Sequence, residues 1–210
     1  MAKSILIIGK SGSGKSASLR NLDTKEYALI NVLGKQLPFK TDKAFLESFN
    51  YSEIRDKLVA YSQKTKTIVI DDAGYLLTNA LMNIGSKDAF KHYRDMANDF
   101  WELLRMISKD LPDDVLVYLL MHEETDELGN VKVKTAGKML DNHVTVEGMF
   151  TIVLRAFKNA DGHRFQTSDN IGTIVKSPMG MFESQYIDND LKLVNDTIKK
   201  YYNIGGNTNE

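Results

Sequence analysis

The sequence has no cysteine and almost no net charge, and both absences restrict its function. Without cysteine there is neither a disulfide framework nor a thiolate metal site. The 27 basic and 28 acidic side chains leave a formal charge of −1, so no global positive field marks a nucleic-acid-binding protein and any DNA contact needs a local patch. No apolar run reaches the ~20 residues of a transmembrane helix, and the run before Gly9 is too short for a signal peptide. The sequence therefore predicts a cytoplasmic protein without a membrane partner.

What is present favours one α/β domain. The chain has 210 residues, of which 42% are hydrophobic, enough for a sizeable core. Short apolar runs alternate with stretches of helical spacing, which predicts a mostly parallel central sheet flanked by helices. We expect this domain to span residues 1–203 and the tail, residues 204–210, to be disordered.

One motif organises the chain: residues 9–16 fit G-x-x-x-x-G-K-[ST] without a mismatch. It follows an apolar run typical of a buried strand and precedes residues that can continue as a helix. In that setting the motif binds phosphate through backbone N–H groups. We expect Lys15 to bring positive charge to the β- and γ-phosphates and Ser16 to offer a hydroxyl to Mg²⁺. The predicted nucleotide-binding residues are Gly9, Lys10, Ser11, Gly12, Ser13, Gly14, Lys15, Ser16 and Ala17.

A second informative stretch, residues 67–72, has four β-formers followed by two acids. In P-loop ATPases a buried strand delivers an aspartate to the Mg²⁺ beside the phosphates, so Asp71 is predicted to bind the metal directly or through one of its ligands. The alternative is that an acid here caps the following helix. Asp72 is a candidate for positioning the attacking water, and it can also act as that cap.

A third stretch, residues 115–121, is a continuous apolar run that predicts a buried central strand ending at His122. Open α/β sheets bind ligands at the carboxyl ends of their strands. His122 is therefore predicted to contact the γ-phosphate and sense its loss, or else to be a hydrogen-bonded structural histidine. Glu123 competes with Asp72 for positioning the attacking water. The catalytic candidates are Lys15, Asp72, His122 and Glu123.

The densest positive patch lies just beyond this strand. The alternation in residues 131–134 puts Lys132 and Lys134 on one face of a hairpin, and Lys138 follows a conformationally permissive Gly137. A solvated hairpin is one interpretation. The functional interpretation is a loop near the nucleotide that contacts single-stranded DNA.

The second half of the chain predicts an antiparallel extension of the sheet. Residues 150–157 read as another strand, and residues 163–167 and 172–176 can pair with it antiparallel. Asn189 or Asp190 is expected to cap a last helix. The predicted sheet thus has a parallel centre and an antiparallel C-terminal edge.

The order of these elements resembles the RecA-like branch of the P-loop ATPases, in which the sensor strand lies between the P-loop strand and the acid-ended strand. It is more closely similar to the small phage-encoded RecA-like ATPases found with single-strand-annealing recombination genes, from Ile5 to about Tyr202. The resemblance rests on residues 9–16, residues 68–72, His122, residues 135–138 and the stretch Lys176-Ser177-Pro178-Met179-Gly180-Met181-Phe182.

This resemblance implies a DNA-stimulated ATPase that uses ATP and Mg²⁺ and acts on single-stranded DNA in recombination or repair. It also implies assembly into a ring or filament, with a single-strand-annealing or single-strand-binding protein as a further partner. Family members place basic residues of one subunit at the ATP of the next. Arg155 and Lys176 are the candidates here, and spacing does not choose between them.

Two other functions remain open at this point. A nucleotide or metabolite kinase could use the same P-loop, but it needs a mobile arginine-bearing lid, and no arginine-rich insertion is found. A nucleotide-gated interaction module of a phage assembly machine would have an identical core. The release of phosphate with and without DNA separates these functions.

Overall fold

The computed structural model describes residues 1–83, 89–136, 144–169 and 172–205, and an eight-stranded sheet forms its centre. The strands are β1 (Lys3–Gly9), β2 (Tyr27–Asn31), β3 (Thr67–Asp71), β4 (Leu116–Thr125), β5 (Val131–Val133), β6 (Ile152–Asn159), β7 (Gly162–Gln166) and β8 (Tyr186–Asp188). The helices are α1 (Tyr51–Ser62), α2 (Tyr75–Met82), α3 (Ala89–Lys109) and α4 (Leu191–Tyr201), with short 3-10 helices at Ser16–Asn21 and Val146–Met149.

The strand order is β2-β3-β4-β1-β6-β7-β8, and β5 pairs with the far end of β4. The five strands from β2 to β6 in this order run parallel, whereas β7 and β8 are added antiparallel. The predicted fold class is confirmed: an α/β P-loop core with a mostly parallel sheet. The strand β4 lies between β1 and β3, where the resemblance puts the sensor strand.

The central strands are continuous apolar runs because both faces of the sheet are covered. On one face, Leu6 and Ile8 of β1 pack in a cluster with residues of α1, α2 and α3. On the other face, Ile5 and Ile7 pack with α4 and with Leu19 of the first 3-10 helix. The alternation of side chains along a strand thus divides one apolar run between two cores.

Two helices begin at side-chain caps, and the one at Asp190 was predicted. Asn50 accepts hydrogen bonds through Oδ1 from the backbone N–H groups of Ser52 and Glu53, at 2.9 and 3.1 Å. Asp190 likewise caps α4. The helix α4 is also anchored to the sheet, since the buried Asn195 Oδ1 accepts hydrogen bonds from the hydroxyls of Thr67 and Tyr118, each at 3.1 Å.

The structure differs from the sequence-based expectation in two elements. The strand β4 does not end at His122 but runs to Thr125, because β5 extends its pairing as a hairpin. The neighbour of β7 is β8, whereas the segment 172–176 contributes a single antiparallel bridge between Lys176 and Val153. The helix expected after the P-loop is present as a short 3-10 helix.

Among the helices in the described residues, none is both long and apolar enough to cross a membrane.

Candidate nucleotide-binding site

The glycine loop after β1 borders a cavity of about 450 Å³ at the carboxyl edge of the parallel strands. Gly12 and Gly14 have φ values of +74° and +101°, a region that residues with a Cβ rarely adopt. Gly9 is required for a different reason: a Cβ there would lie 2.5 Å from the carbonyl oxygen of Ala156. The loop can therefore wrap closely around an anion while its base stays packed on β6.

Lys15 lies buried and folded onto the loop. Its Nζ donates hydrogen bonds to the carbonyl oxygens of Gly9 and Lys10, at 2.7 and 3.0 Å. Burial lowers the pKa of Lys15, while the charges of Asp72 and Asp71 act in the opposite direction. The ammonium is thus held at the cavity wall by acceptors that a phosphate oxygen can replace.

Asp71 and Ser16, the two predicted metal-binding residues, are in contact. Asp71 accepts a hydrogen bond from the Ser16 side chain, and its Oδ1 accepts another from the backbone N–H of Asp72 at 3.0 Å. Burial raises the pKa of Asp71 to about 6, against the opposing effect of the Ser16 hydrogen bond. A carboxylate and a hydroxyl are hard oxygen ligands of the kind that Mg²⁺ prefers.

Asn31 adds a third oxygen to this wall. It lies directly opposite Asp71 in the pairing of β2 with β3. Its Nδ2 donates to the carbonyl oxygen of Lys35 at 2.6 Å, whereas its buried Oδ1 has no hydrogen-bond partner within the described chain. An acceptor without a donor beside a carboxylate fits a metal ion or its bound water. The residues present therefore suit Mg²⁺, which Ser16 and Asp71 would hold.

The described residues contain no group of three or more histidine and acidic side chains that could enclose a metal ion. Mg²⁺ sites in nucleotide-binding proteins commonly take only one or two protein ligands, with phosphate and water oxygens supplying the rest. The small ligand set agrees with such a site rather than with a stand-alone metal centre.

Asp72 lines the cavity in a strained backbone conformation. Its φ of 58° lies in the left-handed region, which is uncommon for a residue with a side chain and is frequent at functional sites. The side chain is only 7% exposed and forms an ion pair of 2.7 Å with Lys35. The structure thus brings Asp72 to the wall where its predicted role requires it.

His122 faces the same cavity from β4, opposite Gly9 in the pairing with β1. Its ring packs edge-on against Tyr75, with centroids 5.8 Å apart, and its Nε2 lies 3.7 Å from Asp72 Oδ1. Burial, and then the charge of Lys15, lower the pKa of His122. A neutral imidazole at this position can report a change at the cavity without adding a charge of its own.

Glu123, the other candidate for positioning the water, is not among the residues that line the cavity. Because β4 continues past His122, the next side chain projects from the opposite face of the strand. The Glu123 side chain is 1% exposed, and its two oxygens accept hydrogen bonds from Nε and Nη2 of Arg155, each at 2.7 Å. Of the two acids, Asp72 is the one placed at the cavity.

The same ion pair changes the interpretation of Arg155. The pair connects β4 with β6 just beyond the end of β1, so it closes the sheet where the P-loop leaves it. Arg155 is thereby occupied within its own chain. Lys176, the other candidate for action on a neighbouring subunit, is exposed beside the bridge to Val153.

The three lysines of the predicted DNA surface have different surroundings. Lys132 forms an ion pair with Glu124 across the hairpin at 3.0 Å. Lys134 is exposed, and its backbone N–H donates to the carbonyl oxygen of His122 at 2.8 Å. Lys138 lies outside the described residues.

The structure adds cavity residues that the sequence analysis did not identify: Asn31, Lys35, Gln36, Pro38 and His163. Asn31 could have been found, because it ends a predicted strand at the edge where ligands bind. Lys35 and His163 carry no such signal. His163 Nδ1 lies 3.0 Å from the carbonyl oxygen of Ser13, and the buried Asn189 lies behind Gly14.

A glycine loop, an acid-ended strand and, between their two strands, a buried strand with a polar tip define a P-loop nucleotide-binding site. A family model described as an AAA domain matches residues 1–178, so the chain belongs to the AAA domain family. The protein is accordingly an AAA-type P-loop ATPase domain, a class that binds nucleotide with a divalent metal ion. A search of curated proteins finds no match.

Proposed function

We propose that the protein is a RecA-like ATPase that hydrolyses ATP with Mg²⁺ and couples this reaction to single-stranded DNA in recombination or repair. The observation that carries the proposal is the course of β4. This strand passes the cavity at His122 and continues without interruption into the lysine-bearing hairpin with β5. A single element thus contacts both the nucleotide site and the candidate DNA surface.

The hydrolytic part of the proposal uses the residues that line the cavity. The loop N–H groups and Lys15 bind the phosphates. Ser16 and Asp71 would hold Mg²⁺, which would supply positive charge beside the transferring phosphoryl group. Asp72 orients the attacking water and accepts its proton at the carboxylate. Nearly complete burial of these acids strengthens each electrostatic contact, because little water screens them.

The coupling part rests on the backbone hydrogen bond between Lys134 and His122, of 2.8 Å. A displacement of His122 when the γ-phosphate leaves shifts the carbonyl oxygen that holds Lys134. This shift changes the positions of the lysines of residues 132–138 relative to the phosphates of a DNA strand. Counterion release makes such binding strongly dependent on salt.

The proposal includes assembly into a ring or filament, with Lys176 reaching the ATP of a neighbouring subunit. It also includes a cytoplasmic location and a single-strand-annealing or single-strand-binding protein as a partner. The position of Lys176 on the outer side of β6 supports the first part, because an exposed lysine there is accessible to a second copy.

A second candidate function is a nucleotide-gated interaction module of an assembly machine. The ion pair between Lys132 and Glu124 favours it, because it reduces the positive charge of the hairpin. In that function the hairpin docks a protein rather than DNA, and ATP controls the docking.

The experiment measures phosphate release by the wild type without addition, with single-stranded DNA and with a panel of nucleoside acceptors. Fluorescence anisotropy of a labelled oligonucleotide, across a salt series with ADP or a non-hydrolysable ATP analogue, gives the binding arm. Replacing Lys132, Lys134 and Lys138 by Ala should make DNA binding less dependent on salt, by the equivalent of up to about three phosphate contacts. Basal hydrolysis should persist. His122→Ala should keep DNA binding but remove its dependence on the nucleotide.

Three outcomes discriminate between the functions. Unchanged DNA binding by the triple lysine variant rejects this surface. No DNA binding by the wild type, in any nucleotide state and at low salt, favours the interaction module. Phosphate transfer to an added acceptor would instead identify a kinase.

A further inference from the structure

A second lysine, Lys35, stands on the wall of the cavity opposite the P-loop. It follows β2 in a loop whose turn contains Gly34 at a φ of +65°. Two hydrogen bonds fix this loop to the strand end: the backbone N–H of Gly34 donates to the carbonyl oxygen of Asn31 at 3.1 Å, and Asn31 Nδ2 donates to that of Lys35 at 2.6 Å. The backbone of Lys35 is therefore held in place at the cavity rim.

The side chain of Lys35, in contrast, has freedom to move. It is 60% exposed, and its Nζ reaches Asp72 Oδ2 at 2.7 Å. The Asp72 side chain is only 7% exposed, so the pair is half-buried and solvent reaches it from the Lys35 side. The Nζ also lies 5.9 Å from the centre of the Tyr75 ring, whose face attracts a cation.

The charged residues that line the cavity explain how the Lys35 ammonium could act there. Lys15 and Lys35 line the same cavity, together with the carboxylates of Asp71 and Asp72. Once Lys35 leaves Asp72, two ammonium groups can face an anion bound in this cavity. A nucleoside triphosphate supplies that anion at its terminal phosphate.

We propose that Lys35 is a catalytic residue in cis, which leaves Asp72 when a nucleoside triphosphate binds and contacts the terminal phosphate. Its departure releases the Asp72 carboxylate for the attacking water. The water oxygen then bonds to the terminal phosphorus while the bond from that phosphorus to the bridging oxygen breaks. The leaving diphosphate keeps the electron pair, and one water proton passes to Asp72 and on to solvent. Without the triphosphate, Lys35 returns to Asp72 and blocks it.

This inference rests on the proposed hydrolysis, but its binding test does not need turnover. The affinities of Lys35→Ala for fluorescent ADP and for a fluorescent non-hydrolysable ATP analogue are compared with those of the wild type. Loss of a charge-assisted hydrogen bond to the terminal phosphate should weaken the analogue by about tenfold or more and leave ADP within about twofold. Lys35→Arg should restore most of the discrimination, since it keeps the charge.

Lys40→Ala is the matched control, because it removes the same charge from the same loop at an exposed position that does not line the cavity. It should change neither affinity. In turnover assays, Lys35→Ala should lower kcat by about 100-fold with a smaller change of KM, as for the loss of one transition-state donor.

A merely structural ion pair between Lys35 and Asp72 predicts something else: lower stability of the nucleotide-free protein and equal losses for ADP and the analogue. Because Lys35→Ala leaves the Asp72 charge without its partner, the two affinities are also measured for Lys35→Ala in the Asp72→Asn background. An unchanged ratio of the two affinities in both backgrounds overturns the proposal. A wild type that discriminates the analogue from ADP through Lys35 but hydrolyses no triphosphate refutes the proposed function and keeps the Lys35 contact.

Discussion

Replacing Glu123 by Gln tests whether this acid is a structural clamp or a catalytic group. The carboxylate is almost fully buried and forms two hydrogen bonds of 2.7 Å with Arg155. Glutamine preserves the volume and one acceptor oxygen but removes the charge, so the partly buried guanidinium remains uncompensated. Breaking a buried ion pair in this way costs about 3–5 kcal/mol, and the retained acceptor puts the expected loss near ~3 kcal/mol.

A loss of this size is easily measured by urea denaturation of the nucleotide-free protein. It is a large fraction of the roughly 5–15 kcal/mol that stabilises a typical domain. In a chain of about this length it should lower the melting temperature by about 6–12 °C. A double-mutant cycle with Arg155→Met should show that most of the effect is the coupling between the two side chains.

Glu124→Gln is the internal control, because the adjacent glutamate pairs with Lys132 at the surface. Exposed pairs contribute below ~1 kcal/mol, so this variant should unfold close to the wild type. The reasoning fails if Glu123→Gln unfolds like the wild type but binds ATP without hydrolysing it. In that event Glu123 would turn toward the nucleotide, and its contact with Arg155 would be a resting arrangement.

Three further variants test the site itself. Lys15→Ala should lower turnover by about 100-fold or more and leave the thermal unfolding of the nucleotide-free protein intact; near-normal turnover would reject the P-loop assignment. Asp71→Asn should lose Mg²⁺-dependent turnover. Burial raises the pKa of Asp71 to about 6. The contribution of protonated Asp71 to the free energy of unfolding of the wild type is therefore fully present below about pH 4, and it is lost as the pH rises through about 6. The Asn variant should therefore be the more stable protein near pH 7, by roughly 1–3 kcal/mol, and lose this advantage near pH 4; equal urea midpoints at both pH values would contradict the assigned burial. Gly9→Ala should cost about 1–3 kcal/mol in urea denaturation, because its Cβ meets a backbone carbonyl that cannot rotate away.

The parts of the site that the sequence predicts well are encoded locally. The P-loop and the acid-ended strand β3 each place their chemistry within a few consecutive residues, so backbone geometry alone brings Lys15, Ser16 and Asp71 to the cavity. The strand order could also be anticipated from the resemblance, since β4 lies between β1 and β3.

Sequence reasoning is weakest where a shift of one residue along a strand moves a side chain from one face of the sheet to the other. Treating His122 as the strand end leaves Glu123 free to turn toward the phosphates, but the continued pairing with β5 sends it to the other side of the sheet. Arg155, 32 positions later, is its partner, and no local pattern connects the two. Lys35 and His163 likewise reach the cavity only through tertiary packing.

The contacts that Asn189 and α4 make behind the P-loop limit how far the chain can be shortened from its C-terminal side. Asn189 lies behind Gly14, and α4 packs its apolar face on the sheet and hydrogen-bonds through Asn195 to β3 and β4. The AAA domain match ends at residue 178, ahead of all these contacts. A fragment trimmed to the match would uncover Tyr118 and Leu19 and remove the backing of the glycine loop. Aggregation and loss of nucleotide affinity should then occur together, because the matched residues stop before the helix that completes the core.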